Sequence, residues 1–177
     1  MIVQQALVVD TCVLINLLAT DRLDEIAVHV APGLLVCSAV TNESIYLRPL
    51  DVTQQPEQVV LDPFFENKIL AAWDCDNDAE EQLYVNYALE LDDGEAMSLA
   101  IAHARNLPLA TDEKKAKRVI RDSAKHMRVV STSEILYAWA TGRGRAKIKP
   151  VLEAIGIRAR FRPPDDDPLV AWWNSFS

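Results

Sequence analysis

Two short apolar runs in this chain each stop at an aspartate. Residues 6–9 run into Asp10, and residues 107–111 run into Asp112. A third run, residues 34–37, leads into a helix-like stretch whose early part carries Glu43, and a helix opened by Gly94 carries Glu95 in its first turn. If the runs are strands of an open parallel sheet, loops at their carboxyl ends form the crevice where ligands bind. The four carboxylates then gather at one edge. Like charges packed that closely push each other's pKa upward unless a cation stands between them. A set of oxygen donors alone suits Mg2+ or Mn2+ better than zinc, because hard cations prefer carboxylate and water to thiolate or imidazole.

Each acid also has a local reading. Asp10 can cap a helix beginning near Cys12, and Glu95 can favour a helix N-terminus by its charge. Such readings serve the residues one at a time. They leave unexplained why the strand of Ala6, Leu7, Val8 and Val9 should end in an acid and Leu109-Ala110-Thr111-Asp112 should repeat the pattern. Thr11 and Thr111 can hydrogen-bond the carboxylates or a bound water, or simply close local turns.

The elements that must position these residues follow from periodicity. Strands are predicted at 6–9, 34–37, 107–111 and 127–130, unbroken apolar runs of the kind buried on both faces. Helices are predicted at 21–30, 40–47, 63–72, 78–89, 94–105, 114–124, 133–140 and 149–155, with Asp92 and Asp93 as candidate N-caps before Gly94. The βαβα rhythm predicts an α/β fold, a single domain with a mostly parallel sheet covered by helices on both faces. Residues 141–145 form a short basic linker rather than a domain boundary. The stretch 162–168 is rich in Pro and Asp and stops regular structure, after which come Leu169, Val170, Trp172, Trp173 and Phe176. Aromatic residues that dense are expected to pack on protein.

At 177 residues and 50% hydrophobic content the chain can bury one core. No apolar run is long enough to span a bilayer, and Asp10 breaks the first run before a signal peptide forms, so a cytoplasmic location is expected. Cys12, Cys37 and Cys75 lack metal-ligand spacing and are read as buried free thiols. The net charge of −8 is unevenly spread: residues 1–102 carry 3 basic and 18 acidic side chains, residues 103–177 carry 15 basic and 8 acidic. An acidic metal site and a basic phosphate-binding surface can thus share one domain. The alternative, that the cations are ordinary solvated helix faces, stays open.

Leu7-Val-Val-Asp-Thr-Cys-Val-Leu-Ile-Asn-Leu resembles the opening of a PIN domain, and Val40-Thr-Asn-Glu43 resembles its second acidic position. Leu91-Asp-Asp-Gly-Glu-Ala-Met is similar to the third, in the subgroup with a Gly-Glu-Ala start, and Leu107-Pro-Leu-Ala-Thr-Asp112 to the fourth. The likeness covers about residues 6–157, giving a nuclease domain at 1–157 and a tail at 158–177 packed on that domain or on a partner. It implies a Mg2+- or Mn2+-dependent endoribonuclease acting on single-stranded or structured RNA, often the toxin of a VapBC-type pair, with an antitoxin partner and a homodimer. Asp10, Glu43, Glu95 and Asp112 would be the metal ligands and catalytic acids, with Asp10 bridging. Glu95 stands where many members carry Asp, and Asp93 lies two residues away, so either can be the third ligand; Glu95 is favoured because it aligns with the helix start, and Asp93 is kept, with Thr11 and Thr111, as a supporting residue.

Hydrolysis of a phosphodiester needs an acidified water and a counter-charge for the phosphate oxygens, both of which divalent ions supply. Lys114, Lys115, Lys117, Arg118 and Arg121, with Lys125 and Arg128 beyond them, follow the last acid and are candidates for flanking phosphates. His29, His103 and His126 stand outside the acidic motifs and are assigned structural roles. A phosphatase of the haloacid dehalogenase type would want an Asp two residues after Asp10, where this chain has Cys12. A response-regulator receiver lacks its acidic pair. A non-catalytic protein that keeps the fold for interaction is the remaining alternative.

Overall fold

The structure, a computed structural model, describes residues 1–51 and 53–176. In chain order its elements are β1 (Leu7–Val9), α1 (Thr11–Leu18), α2 (Leu23–Val30), β2 (Leu34–Cys37), α3 (Ser38–Asn42), β3 (Tyr46–Leu47), β4 (Glu57–Gln58), α4 (Asp62–Glu66), β5 (Leu70–Trp73), α5 (Asp78–Ala88), α6 (Asp93–Ala104), β6 (Leu109–Ala110), α7 (Lys114–Ser123), β7 (Val129–Val130), α8 (Thr132–Ala140), α9 (Arg145–Arg158) and α10 (Val170–Asn174). Five strands form one parallel sheet in the order β5-β2-β1-β6-β7. Every residue of β1, β2 and β6 is buried. That is why these strands read as continuous apolar runs: parallel strands in the middle of an α/β sheet are covered on both sides.

The chain leaves β1 for β2 in one direction across the sheet and returns from β5 to β6 in the other. Right-handed crossovers therefore place α1 and α2 on one face, where α8 joins them, and α5, α6 and α7 on the opposite face. Between β1 and β6 the direction reverses. Such a switch point is where an open α/β sheet leaves a crevice outside its carboxyl edge, and Asp10 and Asp112 stand on its two sides.

Two predicted helices prove to be mixed. Residues 63–72 hold all but the first residue of the short helix α4; Lys68 then takes a left-handed conformation, φ 58°, and the chain enters β5. Only Leu70 of β5 is buried, because β5 is an edge strand. Residues 40–47 hold the end of α3, a break at Glu43 to Ile45, and β3, which pairs antiparallel with β4. The helix expected at 149–155 spans Arg145–Arg158, with Pro150 inside it.

Trp173, 5% exposed, meets Phe161 edge-on with ring centroids 5.6 Å apart. Trp172 sits edge-on to Tyr137 of α8 at 5.2 Å, and the Arg145 guanidinium lies 5.0 Å from the centre of the Phe176 ring. Ser133 at the start of α8 donates to Asp167 at 2.6 Å. The aromatic tail residues thus lie against α8 and α9. Cys37 is buried, while Cys12 and Cys75 are half-buried; all three are free. Among the described residues no helix is long and apolar enough to cross a membrane.

Candidate functional site

Asp10 is the most buried acid at the crevice, 2% exposed. Its backbone is extended and it caps α1, its Oδ1 accepting from the Thr11 amide at 2.7 Å. The other oxygen, Oδ2, accepts from the Thr111 hydroxyl at 2.9 Å and from the Cys12 thiol at 3.3 Å. Capping and site-building are therefore one arrangement, since the helix that Asp10 starts also holds its carboxylate still. Thr111 in turn accepts from the Glu113 amide at 3.1 Å, linking the ends of β1 and β6.

Glu43 stands at the C-terminal end of α3 rather than early in a helix, and its Oε1 accepts from the Thr11 hydroxyl at 3.1 Å. It reaches that position over Gly94: a Cβ there would fall 2.8 Å from Glu43 Oε1. Glycine at the start of α6 is what lets this carboxylate come so close. Glu95 belongs to a capping box with Asp92, whose Oδ1 accepts from the Glu95 amide at 2.9 Å while Glu95 Oε2 accepts from the Asp92 amide at 3.4 Å.

These groups surround a cavity of about 190 Å³ onto which five carboxylates open: Asp10, Glu43, Asp92, Glu95 and Glu113. Burial pushes the carboxyl groups of Asp10, Glu43 and Glu95 above their ordinary range, and the charge of Asp92 adds to the rise at each. None of the three pairs with Lys or Arg among the described residues. The same residues contain no group of three His, Cys, Asp or Glu side chains drawn tightly enough to form a ready-made metal cage. Glu95 is folded back onto its own cap and Glu43 rests on Thr11, each by bonds longer than 3 Å. As a donor set the cluster is all oxygen and negative, the chemistry that a hard divalent ion takes.

The other predicted residues are placed differently. Asp112 is half-buried and does not line the cavity. Its Oδ1 accepts from the Thr132 amide at 3.1 Å, its Oδ2 from Asn16 Nδ2 at 3.3 Å, and Lys117 Nζ lies 4.0 Å away. Burial raises its pKa, with the Thr132 hydrogen bonds opposing the rise. Asp93 accepts from the Tyr84 hydroxyl at 3.1 Å and so faces α5. Lys114 and Lys115 are exposed and make no ion pair among the described residues, whereas Arg118 pairs with Glu90 at 2.8 Å and Arg121 with Asp122 at 3.7 Å. His103 bonds Tyr87 at 2.6 Å and His29 bonds the Glu25 carbonyl at 2.9 Å, both outside the cavity.

Sequence reasoning missed Asp92 as a cavity acid, having read it only as a cap, and missed Glu113 and the pair Asn16 and Thr132. The Asp92-x-x-Glu95 spacing does spell a capping box, a signal that both side chains share one helix start. Nothing local marks Asn16, whose partners lie 96 and 116 residues further on.

A family model for the PIN domain matches residues 6–166. No curated protein and no solved structure matches the chain. The matched span takes in the whole five-stranded sheet and both acid-bearing strand ends at its switch point, and the chain belongs to the PIN-domain family.

Proposed function

We propose that this protein is a metal-dependent endoribonuclease that hydrolyses phosphodiester bonds of single-stranded or structured RNA. PIN domains are generally nucleases that use divalent metals. The observation that carries the reading here is Asp10: a carboxylate held by three donors in a crevice lined by other acids, with no Lys or Arg partner among the described residues.

Asp10, Glu43 and Glu95 are the residues that would hold Mg2+ or Mn2+, with Asp112 behind them. When bound, such an ion acidifies water and neutralises charge on the phosphate. The chain's part is to fix the carboxylates. The Thr11 amide and Thr111 hydroxyl set the direction of Asp10, and the Thr11 hydroxyl sets that of Glu43. The N-termini of α1 and α6 both abut the cavity, so their dipoles favour negative charge there. Lys114 and Lys115, beside Glu113 at the start of α7, are placed to meet phosphates flanking the scissile one.

The Gly94-Glu95-Ala96 start of α6 extends the proposal to a toxin of the VapBC type, acting as a homodimer and restrained by an antitoxin. A small DNA-binding protein encoded by the gene immediately upstream would support that extension. The nuclease reading itself is tested with purified protein and single-stranded RNA. Cleavage is expected with Mg2+ or Mn2+ and none in EDTA; full activity in chelator sinks the mechanism. Tight Mn2+ binding without cleavage of any RNA would instead mark an interaction protein that kept the fold.

A further inference from the structure

The strand end at β6 carries two consecutive acids, Asp112 and Glu113, and the structure turns them in opposite directions. Both oxygens of Asp112 are engaged inside the protein, one by the Thr132 amide at the start of α8 and the other by Asn16 in α1. Asn16 Nδ2 also donates to the Thr132 hydroxyl at 3.0 Å, so one small network ties β6 to two helices on the same face of the sheet. Glu113 is the reverse case. Its amide is held by Thr111, it caps α7 without a side-chain bond, and its carboxylate has no hydrogen-bond partner among the described residues. That carboxylate opens onto the cavity with Asp10 and Glu95, and its charge is one of those that raise the Glu95 pKa.

We propose that Glu113, and not Asp112, is the acid that this strand end presents to the divalent cation, while Asp112 serves as a structural tie between β6, α1 and α8. The assignment rests on the metal-site reading above and refines it. Two physical arguments support it. Asp112 does not line the cavity, so to reach a cation there its carboxylate must swing away from the Thr132 amide and Asn16 and deprive two donors of their acceptor, whereas Asp10 lines the cavity with its three donors in place. Glu113, exposed and without a protein partner among the described residues, gives up only water and side-chain freedom by turning to a cation. The Glu113 backbone amide also donates to the Thr111 hydroxyl, the same hydroxyl that donates to Asp10, so the backbone that carries Glu113 is tied to the Asp10 carboxylate through one side chain.

The test compares Glu113→Gln, Asp112→Asn and Asp10→Asn in the full chain, with Mn2+ binding followed by electron paramagnetic resonance and thermal melting recorded in EDTA. Glu113→Gln is expected to weaken Mn2+ binding by roughly tenfold or more while leaving the metal-free melt unmoved. Asp112→Asn should lower the metal-free melting temperature by a few degrees, since the new amide faces donors. Its folded fraction should bind Mn2+ within about threefold of wild type, well short of what removing an orienting group costs. Loss of Mn2+ binding by Asp112→Asn with an unchanged melt overturns the assignment, as does wild-type binding by Glu113→Gln. If Asp112→Asn fails to fold, Glu113→Gln decides alone. Should Asp10→Asn also bind Mn2+ like wild type, the cation reading falls and takes this assignment with it. If Glu113→Gln alone does so, the assignment falls and the metal site stands.

Discussion

Buried acids occur at two places in this fold and are treated in opposite ways. Glu80 of α5, 2% exposed, meets Arg105 at the C-terminal end of α6 through a two-pronged contact, Nε to Oε1 at 2.6 Å and NH2 to Oε2 at 2.9 Å. The same guanidinium reaches Asp76 at 3.1 Å and lies 4.4 Å from the centre of the Trp73 ring. Its hydrogen bonds hold Glu80 well below the usual carboxylate range. At the other end of α6 the acids of the cavity face one another, and burial drives their pKa values up. The tail of α6 thus supplies the cation that neutralises a buried acid of α5, while the acids at its head have no Lys or Arg partner among the described residues. The chain has cations enough for both. Among the described residues none pairs with the cavity acids, which is the imbalance that the proposed divalent cation would offset.

The sharpest way to break this contrast is Asp10→Asn, which removes one charge with almost no change in volume. RNA cleavage is expected to fall by about a thousandfold, the scale for losing a group that stabilises the transition state, while the metal-free melt holds or rises. An active Asp10→Asn enzyme would take Asp10 out of the site. At the paired end, Arg105→Leu strands Glu80 in a dry environment, and a drop of about 3 kcal/mol in stability is expected by chemical denaturation. A drop near zero would show that the pair is no more than a surface ion pair.

Acidity separates the two ends by sign. Glu80 has a lowered pKa when folded, so its stabilising effect is present above its unfolded value and disappears as pH falls through the folded one. Asp10, Glu43 and Glu95 have raised values. The folded state takes up their protons more readily, so these acids lower stability once pH rises above the ordinary carboxylate range, and the penalty is relieved as pH falls. Metal-free wild type should therefore lose melting temperature on going from mildly acidic to neutral pH, and Asp10→Asn should lose less. Saturating Mn2+ should remove most of the slope, because a cation held by the deprotonated carboxylates lowers their folded-state pKa values and stabilises the folded protein more as pH rises.

The central strands were legible because β1, β2 and β6 are buried on both faces and must be apolar throughout. Edge strand β5 was not, since Ala71, Ala72 and Trp73 are exposed and Leu70-Ala-Ala-Trp suits a helix as well as a strand. Asp10 and Glu95 could be placed because each sits at a helix start fixed by local capping. The direction of Asp112 could not, since it is decided by Asn16 and Thr132, which meet only when α1 and α8 pack together. The two acids after β6 look equivalent in sequence, and tertiary packing alone tells them apart.

The smallest effect concerns the basic half of the chain, where the cations of α7 divide into paired and unpaired. Arg118, Arg121 and Lys117 each have an acidic neighbour, at 2.8, 3.7 and 4.0 Å. Lys114 and Lys115 are exposed without one among the described residues, and they occupy the first turn of a helix, where the dipole disfavours positive charge. Cations kept against a local preference, next to the acidic crevice, suit an RNA backbone running across the start of α7. Lys114→Glu with Lys115→Glu should therefore weaken RNA binding and flatten its dependence on salt. The slope of log affinity against log salt should drop by roughly 0.7 for each phosphate of a single strand that the protein no longer neutralises. The control is Arg118→Glu with Arg121→Glu, whose partners already neutralise them and whose replacement should change the slope less. Equal slopes for both double variants would mean that α7 attracts RNA only through its net charge, and that Lys114 and Lys115 touch no phosphate.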